Sequence, residues 1–179
     1  MNWWETGGAD SPVMARMKER FAGTSTLILT HAFKGDDTIV IQPADVSLVL
    51  GFLKCDPALA FDILMDVTAV DYLNDAQIHP YLLTMGARFE VVYHLYSEEK
   101  NHRIRVKAPL KAEEPEINSV VSLWPSADWF EREAWDLYGI VFRGHPNLKR
   151  ILLYEKFVGH PLRKDYPKTK RQPLIGPVD

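Results

Sequence analysis

Apolar positions along the chain recur at two spacings, and the switches between them mark out the elements. Val13, Met14, Met17 and Phe21 fall at helical spacing behind Ser11-Pro12, a serine cap with proline in the first turn, and Gly23 offers a stop. Thr26-Leu27-Ile28-Leu29-Thr30 and Thr38-Ile39-Val40-Ile41-Gln42 are rich in strand formers and flank a Gly35-Asp36-Asp37 turn, which predicts a hairpin. Pro43 opens a second helix to about Lys54, with Val46, Val49, Leu50 and Leu53 on its apolar face and Asp56-Pro57 at its end. Residues 61–72 hold a strand around Ile63, Leu64 and Val67, and residues 88–96 hold another. After a turn at residues 97–101, Arg103-Ile104-Arg105-Val106-Lys107 alternates charged with apolar, the pattern of a strand with one wet and one buried face.

These elements predict an α+β domain over residues 1–115, with helices packed on a mixed or antiparallel sheet. Beyond Pro115 the texture changes. Residues 119–124 suit a short helical turn. Ser126-Ala127-Asp128 then leads into a stronger helix over 129–138, with Asp128 and Glu131 at capping-box spacing and Gly139 as its end. Residues 116–142 are read as an interface helix region. Residues 143–179 are rich in proline, glycine and basic side chains, and no period survives there. That segment is expected to be an extended arm that needs a surface to lie against.

Composition narrows the function classes. With 179 residues, 46% of them hydrophobic, and a net charge of −3, the chain is an ordinary globular protein with no bulk attraction to nucleic acid. Its single cysteine, Cys55, can neither close an internal disulfide nor hold an iron–sulfur cluster unaided, and its place after an apolar run predicts burial. Met1-Asn2-Trp3-Trp4-Glu5 lacks the basic start and apolar stretch of a secretory signal, and no run approaches the ~18–20 apolar residues of a membrane span.

The densest set of chemistry-bearing residues is the helix from Glu131 to Gly139. Glu131 and Glu133 point well apart, and neither has a histidine three or four residues on, so a metal helix is disfavoured. Arg132 and Asp136 are spaced to pair on the surface. Phe130, Ala134, Leu137 and Tyr138 make the core-facing stripe, with Trp129 and Trp135 off it. Tryptophan beside arginine is the composition of binding hot spots, so the helix is either a solvated amphipathic helix or an interface.

Gly144-His145-Pro146 and Gly159-His160-Pro161 read as turns whose histidines bond backbone. There is no nucleophile elbow and no phosphate loop, since Gly7-Gly8 stands alone. The arm carries Lys149, Arg150, Lys156, Arg163, Lys164, Lys168, Lys170 and Arg171, with Tyr154, Phe157 and Tyr166 between them. A solvated tail, an acidic partner, anionic lipid and RNA all suit that composition. Pro161, Pro167, Pro173 and Pro177 favour a strap along a protein surface. No catalytic, cofactor-binding or metal-ligating residue is expected.

Glu131-Arg132-Glu133, Asp136-Leu137-Tyr138, His145, Lys149 and Ile151-Leu152 match, position by position, the pattern of the thirty-kilodalton subunit family (the C subunits) of respiratory complex I. Residues 159–167 (Gly-His-Pro-Leu-Arg-Lys-Asp-Tyr-Pro) are similar to the family's second block. Residues 88–95 and 103–107 also resemble it, and Asp71-Tyr72 fits a strand end. The likeness covers most of the chain, is weak before about Phe61 and stops after Pro167. One departure is Glu155-Lys156-Phe157-Val158, where family members often carry an Asp-Trp-type segment.

The resemblance implies a non-catalytic scaffold subunit in the peripheral arm of a proton-translocating NADH:quinone oxidoreductase. It would sit at the cytoplasmic face of a bacterial inner membrane, or on the matrix side in mitochondria. Such a chain binds no cofactor itself; FMN, iron–sulfur clusters and quinone belong to other subunits, and activity is not expected of the isolated chain. Its partners would be the D subunit, which shapes the quinone pocket, and the iron–sulfur subunits B and I. The interface would be made by Glu131, Arg132, Glu133, Trp135, Asp136, Tyr138, His145, Arg150, His160, Arg163, Lys164, Asp165 and Tyr166. The alternative is the equivalent subunit of a ferredoxin-, F420- or hydrogenase-linked ion-pumping membrane complex. The unrelated rivals are a hydrolase using Glu131, Glu133 and His145, and an RNA-binding module using the arm.

Overall fold

The structure, a computed structural model, describes residues 11–33, 35–75 and 78–172. The Gly7-Gly8 pair, the first five residues, Pro173 and Pro177 lie outside the described residues. Five strands, β1 (Leu27–Phe33), β2 (Asp36–Ile41), β3 (Ile63–Asp71), β4 (Ala87–Ser97) and β5 (His102–Lys111), form one sheet in the order β1-β2-β5-β4-β3. Neighbours are antiparallel except β2 and β5, which run parallel, so the sheet is mixed. The expected hairpin is β1–β2. Its turn is tighter than the sequence suggested: Gly35 takes the left-handed conformation at φ 88° and β2 already begins at Asp36.

Helix α1 (Pro12–Arg20) starts where the sequence placed it, with the Ser11 hydroxyl accepting the Met14 N–H at 3.1 Å. A single 3-10 turn at Pro43–Asp45 feeds α2 (Val46–Cys55), whose apolar stripe Val46, Val49, Leu50 and Leu53 is completely buried. Cys55 departs from expectation and is exposed. It is the last residue of α2, about 200° around the helix from Leu53, and so faces away from the stripe. A short helix α3 (Pro80–Met85) between β3 and β4 had no counterpart in the sequence reading; six residues with proline first carry too little periodicity to register.

Across the strands the inward positions line up in rows. Ile39 lies beside Val106, Val106 beside Tyr93, and Tyr93 beside Val67, all buried. α1, α2 and α4 (Ala127–Tyr138) contribute to the same buried cluster. Each fully buried large apolar side chain there is worth roughly 1.5–3 kcal/mol. Ile117, Val120, Trp124, Ala127, Ala134, Ile140 and Phe142 belong to this cluster too, so the segment after Pro115 shares the core of the segment before it. Two short strands, β6 (Glu116–Asn118) and β7 (Val141–Arg143), pair in parallel on either side of α4 and fix where that helix begins and ends.

Candidate partner interface

α4 ends at Gly139, in the left-handed conformation at φ 73°. A Cβ there would lie 2.6 Å from the His160 ring and 2.7 Å from the Arg163 guanidinium, so only glycine lets the chain pass this close. The last carbonyls of a helix lack partners inside it and carry the negative end of its dipole. Here the C-terminal arm supplies those partners. His160 Nδ1 donates to the Asp136 carbonyl at 3.0 Å, the Leu162 N–H to that of Leu137 at 3.1 Å, and Arg163 Nε to that of Tyr138 at 2.5 Å.

Asp136 is the hub. Its side chain is completely buried; one carboxylate oxygen accepts Arg150 at 2.5 Å and the other accepts the N–H groups of Ile151, Leu152 and Leu153 at 3.1, 2.9 and 2.9 Å. Burial by itself would raise this carboxyl, but the Leu153 amide, the Arg150 guanidinium and the other two amides outweigh it and hold the group below the usual carboxylate range. Arg150 also donates to the carbonyls of Phe157 and Gly159, which folds residues 150–159 into a closed turn.

A second clasp lies at the sheet. Arg88 of β4 pairs with buried Asp71 at the end of β3 and with Asp165 of the arm, at 2.8 and 2.9 Å. The Lys164 N–H donates to Asp71 at 2.8 Å. Burial opposes the charge on Asp71, yet Arg88 and the amides of Lys164 and Leu73 leave it below its ordinary value, and Arg88 does the same for Asp165. Arg163 lies over the Phe89 ring, 5.2 Å from its centre.

At the other end of α4, His145 accepts the Asn147 N–H on Nδ1 and donates from Nε2 to the Asp128 carbonyl at 3.2 Å. Arg132 donates to the carbonyls of Lys149 and Arg150 and lies over Trp129. Both Gly-His-Pro turns therefore do what their sequence suggested, each histidine bonding a backbone carbonyl of the one helix.

The structure redistributes the expected interface residues. Glu131 and Asp136 are 0% exposed and bonded within the chain, so neither presents its charge to a partner. Glu131 is no capping residue: it accepts the Val120 N–H at 2.7 Å, and Ser126 caps the helix without a side-chain bond. The expected Arg132–Asp136 surface pair is absent, because Asp136 turns inward to Arg150. Arg132, His145, Arg150, His160, Arg163 and Asp165 are spent holding the arm to its own domain. Trp135 and Tyr138 pack against the core, Trp135 despite lying off the predicted stripe. Glu133 and the Lys164 side chain are exposed, and Tyr166 stacks on Phe157, which meets Tyr154 edge-on. The described part of the arm does lie against a protein surface, but that surface is its own domain, where it forms a turn-rich strap across α4.

Sequence reasoning missed Asp71 and Arg88 as the anchor for that strap; their signal was two opposite charges at the ends of adjacent buried strands. Outward from the strap and α4 point Trp129, Leu152, Val158 and Leu162, at 61, 60, 55 and 48% exposure. With Glu131 buried and Glu133 exposed, the carboxyls a hydrolase would need do not share a pocket. Among the described residues no cluster of three or more histidine, cysteine or acidic side chains could hold a metal ion, and no helix is long and apolar enough to cross a membrane.

Fold and site together define a class of protein: a small α+β block that wears its own basic C-terminal strap over one helix. The comparisons with known proteins make it particular. The family model for the 30 Kd subunit of the respiratory-chain NADH dehydrogenase matches residues 39–172. The chain is 46% identical over 165 residues to the C subunit of the NADH-quinone oxidoreductase of Citrifermentans bemidjiense, covering 91% of this chain and 94% of that one. It is 51% identical over 143 residues to the corresponding C subunit of Caulobacter vibrioides, covering 79% and 67%. A solved trypsin-resistant fragment of Nqo5 superposes with a TM-score of 0.63 at 30% identity, over 75% of this chain and 98% of the fragment. A chain of the archaeal membrane-bound sulfane sulfur reductase shares the fold, with a TM-score of 0.64 at 20% identity over 88% of this chain and 85% of that one. The chain belongs to the 30-kDa subunit family of the respiratory-chain NADH dehydrogenase, complex I.

Proposed function

We propose that this chain is a scaffold subunit of the peripheral arm of a proton-translocating NADH:quinone oxidoreductase and that it docks through the outer surface of its strap and α4 onto the D subunit, which shapes the quinone pocket. The carrying observation is the division of labour in the strap. Arg150, Arg163 and Asp165 are bonded inside the chain, and Arg132 of α4 binds the strap's carbonyls, whereas Trp129, Leu152, Val158 and Leu162 face outward. Large apolar side chains on a pre-formed support suit a permanent interface, since little ordering cost remains at docking. FMN, iron–sulfur clusters and quinone would sit on neighbouring subunits, B and I among them, and the assembly would lie at the cytoplasmic face of a bacterial inner membrane.

The test is native electrophoresis of gently solubilised membranes carrying a tagged chain, stained for NADH dehydrogenase activity and blotted for the tag. Tag and activity should run together in one large band. Trp129→Ala with Leu162→Ala should reduce the amount of that band and leave turnover per assembled particle unchanged. Full assembly with slow turnover would instead place the chain in the chemistry.

A further inference from the structure

α4 seats on the sheet through a face that is not wholly apolar. Between its buried residues Ala127 and Ala134 stands Glu131, and in the middle of β4 stands Tyr93; both side chains are completely buried. Glu131 Oε1 accepts the Val120 N–H. Its Oε2 and the Tyr93 hydroxyl are both buried without a hydrogen-bond partner among the described residues, and the two groups are near enough for the Glu131 charge to bear on the phenol.

The groups that face Glu131 are Tyr93 from β4, Asp128 one turn back on α4, and Ser119 and Val120 from the segment before α4; none is a cation. A carboxylate held by one amide and one hydroxyl, beside another acid and with no cation, is poorly compensated in a dry interior. Two buried oxygens within electrostatic reach of each other, each lacking a hydrogen-bond partner, are surroundings that an internal water can occupy.

We propose that Glu131 and Tyr93 form an internal site for one proton and one water molecule, in which Glu131 is a neutral acid whose Oε2–H donates to a water also held by the Tyr93 hydroxyl. The energetics agree with the geometry. Burial pushes the Glu131 carboxyl up to about 7, aided by Asp128 and only partly offset by Ser119 and the Val120 amide. The folded chain therefore binds this proton more tightly than an unfolded glutamate does. Stability falls as pH rises from the ordinary carboxylate range through neutrality, then levels off, and the seating of α4 under the strap becomes proton-dependent.

The experiment is urea unfolding of the full chain and of Glu131→Gln, which mimics the neutral acid, between about pH 5 and about pH 8. Relative to the variant, the wild-type folding equilibrium should weaken on the order of fifty-fold across that range. A difference that does not change with pH overturns the proposal. If the variant fails to fold, infrared titration of the wild-type chain decides. A protonated-carboxyl stretch that is present in mild acid and vanishes through neutrality upholds the site; its absence overturns it. A crystal structure with Oε2 bonded directly to a protein group would also overturn it.

Discussion

The sheet domain and the strap are held by opposite means. Residues 27–111 rest on a repeating backbone ladder and on rows of buried apolar side chains, so no single contact is decisive. Residues 144–172 contain no helix or strand. They are fixed by individual side chains reaching backbone groups: Asp136 to three amides, Arg150 and Arg132 to carbonyls, two histidines to α4. The lesson is one of redundancy. Burial spreads its energy over many residues, whereas the strap concentrates it in a few individual bonds, strongest where the carboxylate, Asp136 or Asp71, is out of water.

Removing the hub should expose that difference most sharply. Asp136→Ala leaves the Arg150 charge and three amides without their acceptor and should cost about 3–5 kcal/mol in urea unfolding. Limited trypsin digestion should then cut within the strap while the sheet stays intact; a strap that remains protected would show that the hub is redundant after all. Arg88→Ala opens the sheet-side clasp and strands buried Asp71, at about 2–3 kcal/mol by the same assay.

Acid offers a graded version of these cuts. Asp136, Asp71 and Asp165 are all held below their ordinary values when folded, so the stability they give is complete above about pH 4 and is lost as pH falls through the lower folded values. Hydrogen exchange should show the amides of Ile151, Leu152 and Leu153 opening in acid before those of β4 and β5; simultaneous opening would erase the distinction. His160→Ala removes one helix-end bond and should cost about 1 kcal/mol. Smallest of all, Trp129→Ala should move the unfolding midpoint of the isolated chain by no more than about 0.5 kcal/mol, because its ring faces outward.

What the sequence disclosed follows the same division. The β1–β2 hairpin, the buried stripe of α2, the alternation of β5 and the end of α4 were legible, because periodicity and special residues report burial directly. The two Gly-His-Pro turns were legible for the same local reason. The strap was not. Nothing periodic tells that Asp136 will turn from Arg132 toward Arg150, or that Asp165 will find Arg88, a partner 77 positions away. Those choices depend on which backbone amides tertiary folding brings within reach. Burial of Glu131 was hidden likewise, since an acid on an amphipathic helix ordinarily marks the wet side.

The parallel pairing of β2 with β5 also sets a schedule for synthesis. Thr38 meets Arg105, 67 residues later in the chain. A growing chain adds roughly 5–20 residues per second, so the β1–β2 hairpin waits on the order of several seconds for its partner strand. During that interval a two-stranded hairpin is only marginally stable, and Ile39, Val40 and Ile41 lie along an open edge. That edge therefore stays open until residue 105 has been made and β5 pairs with β2.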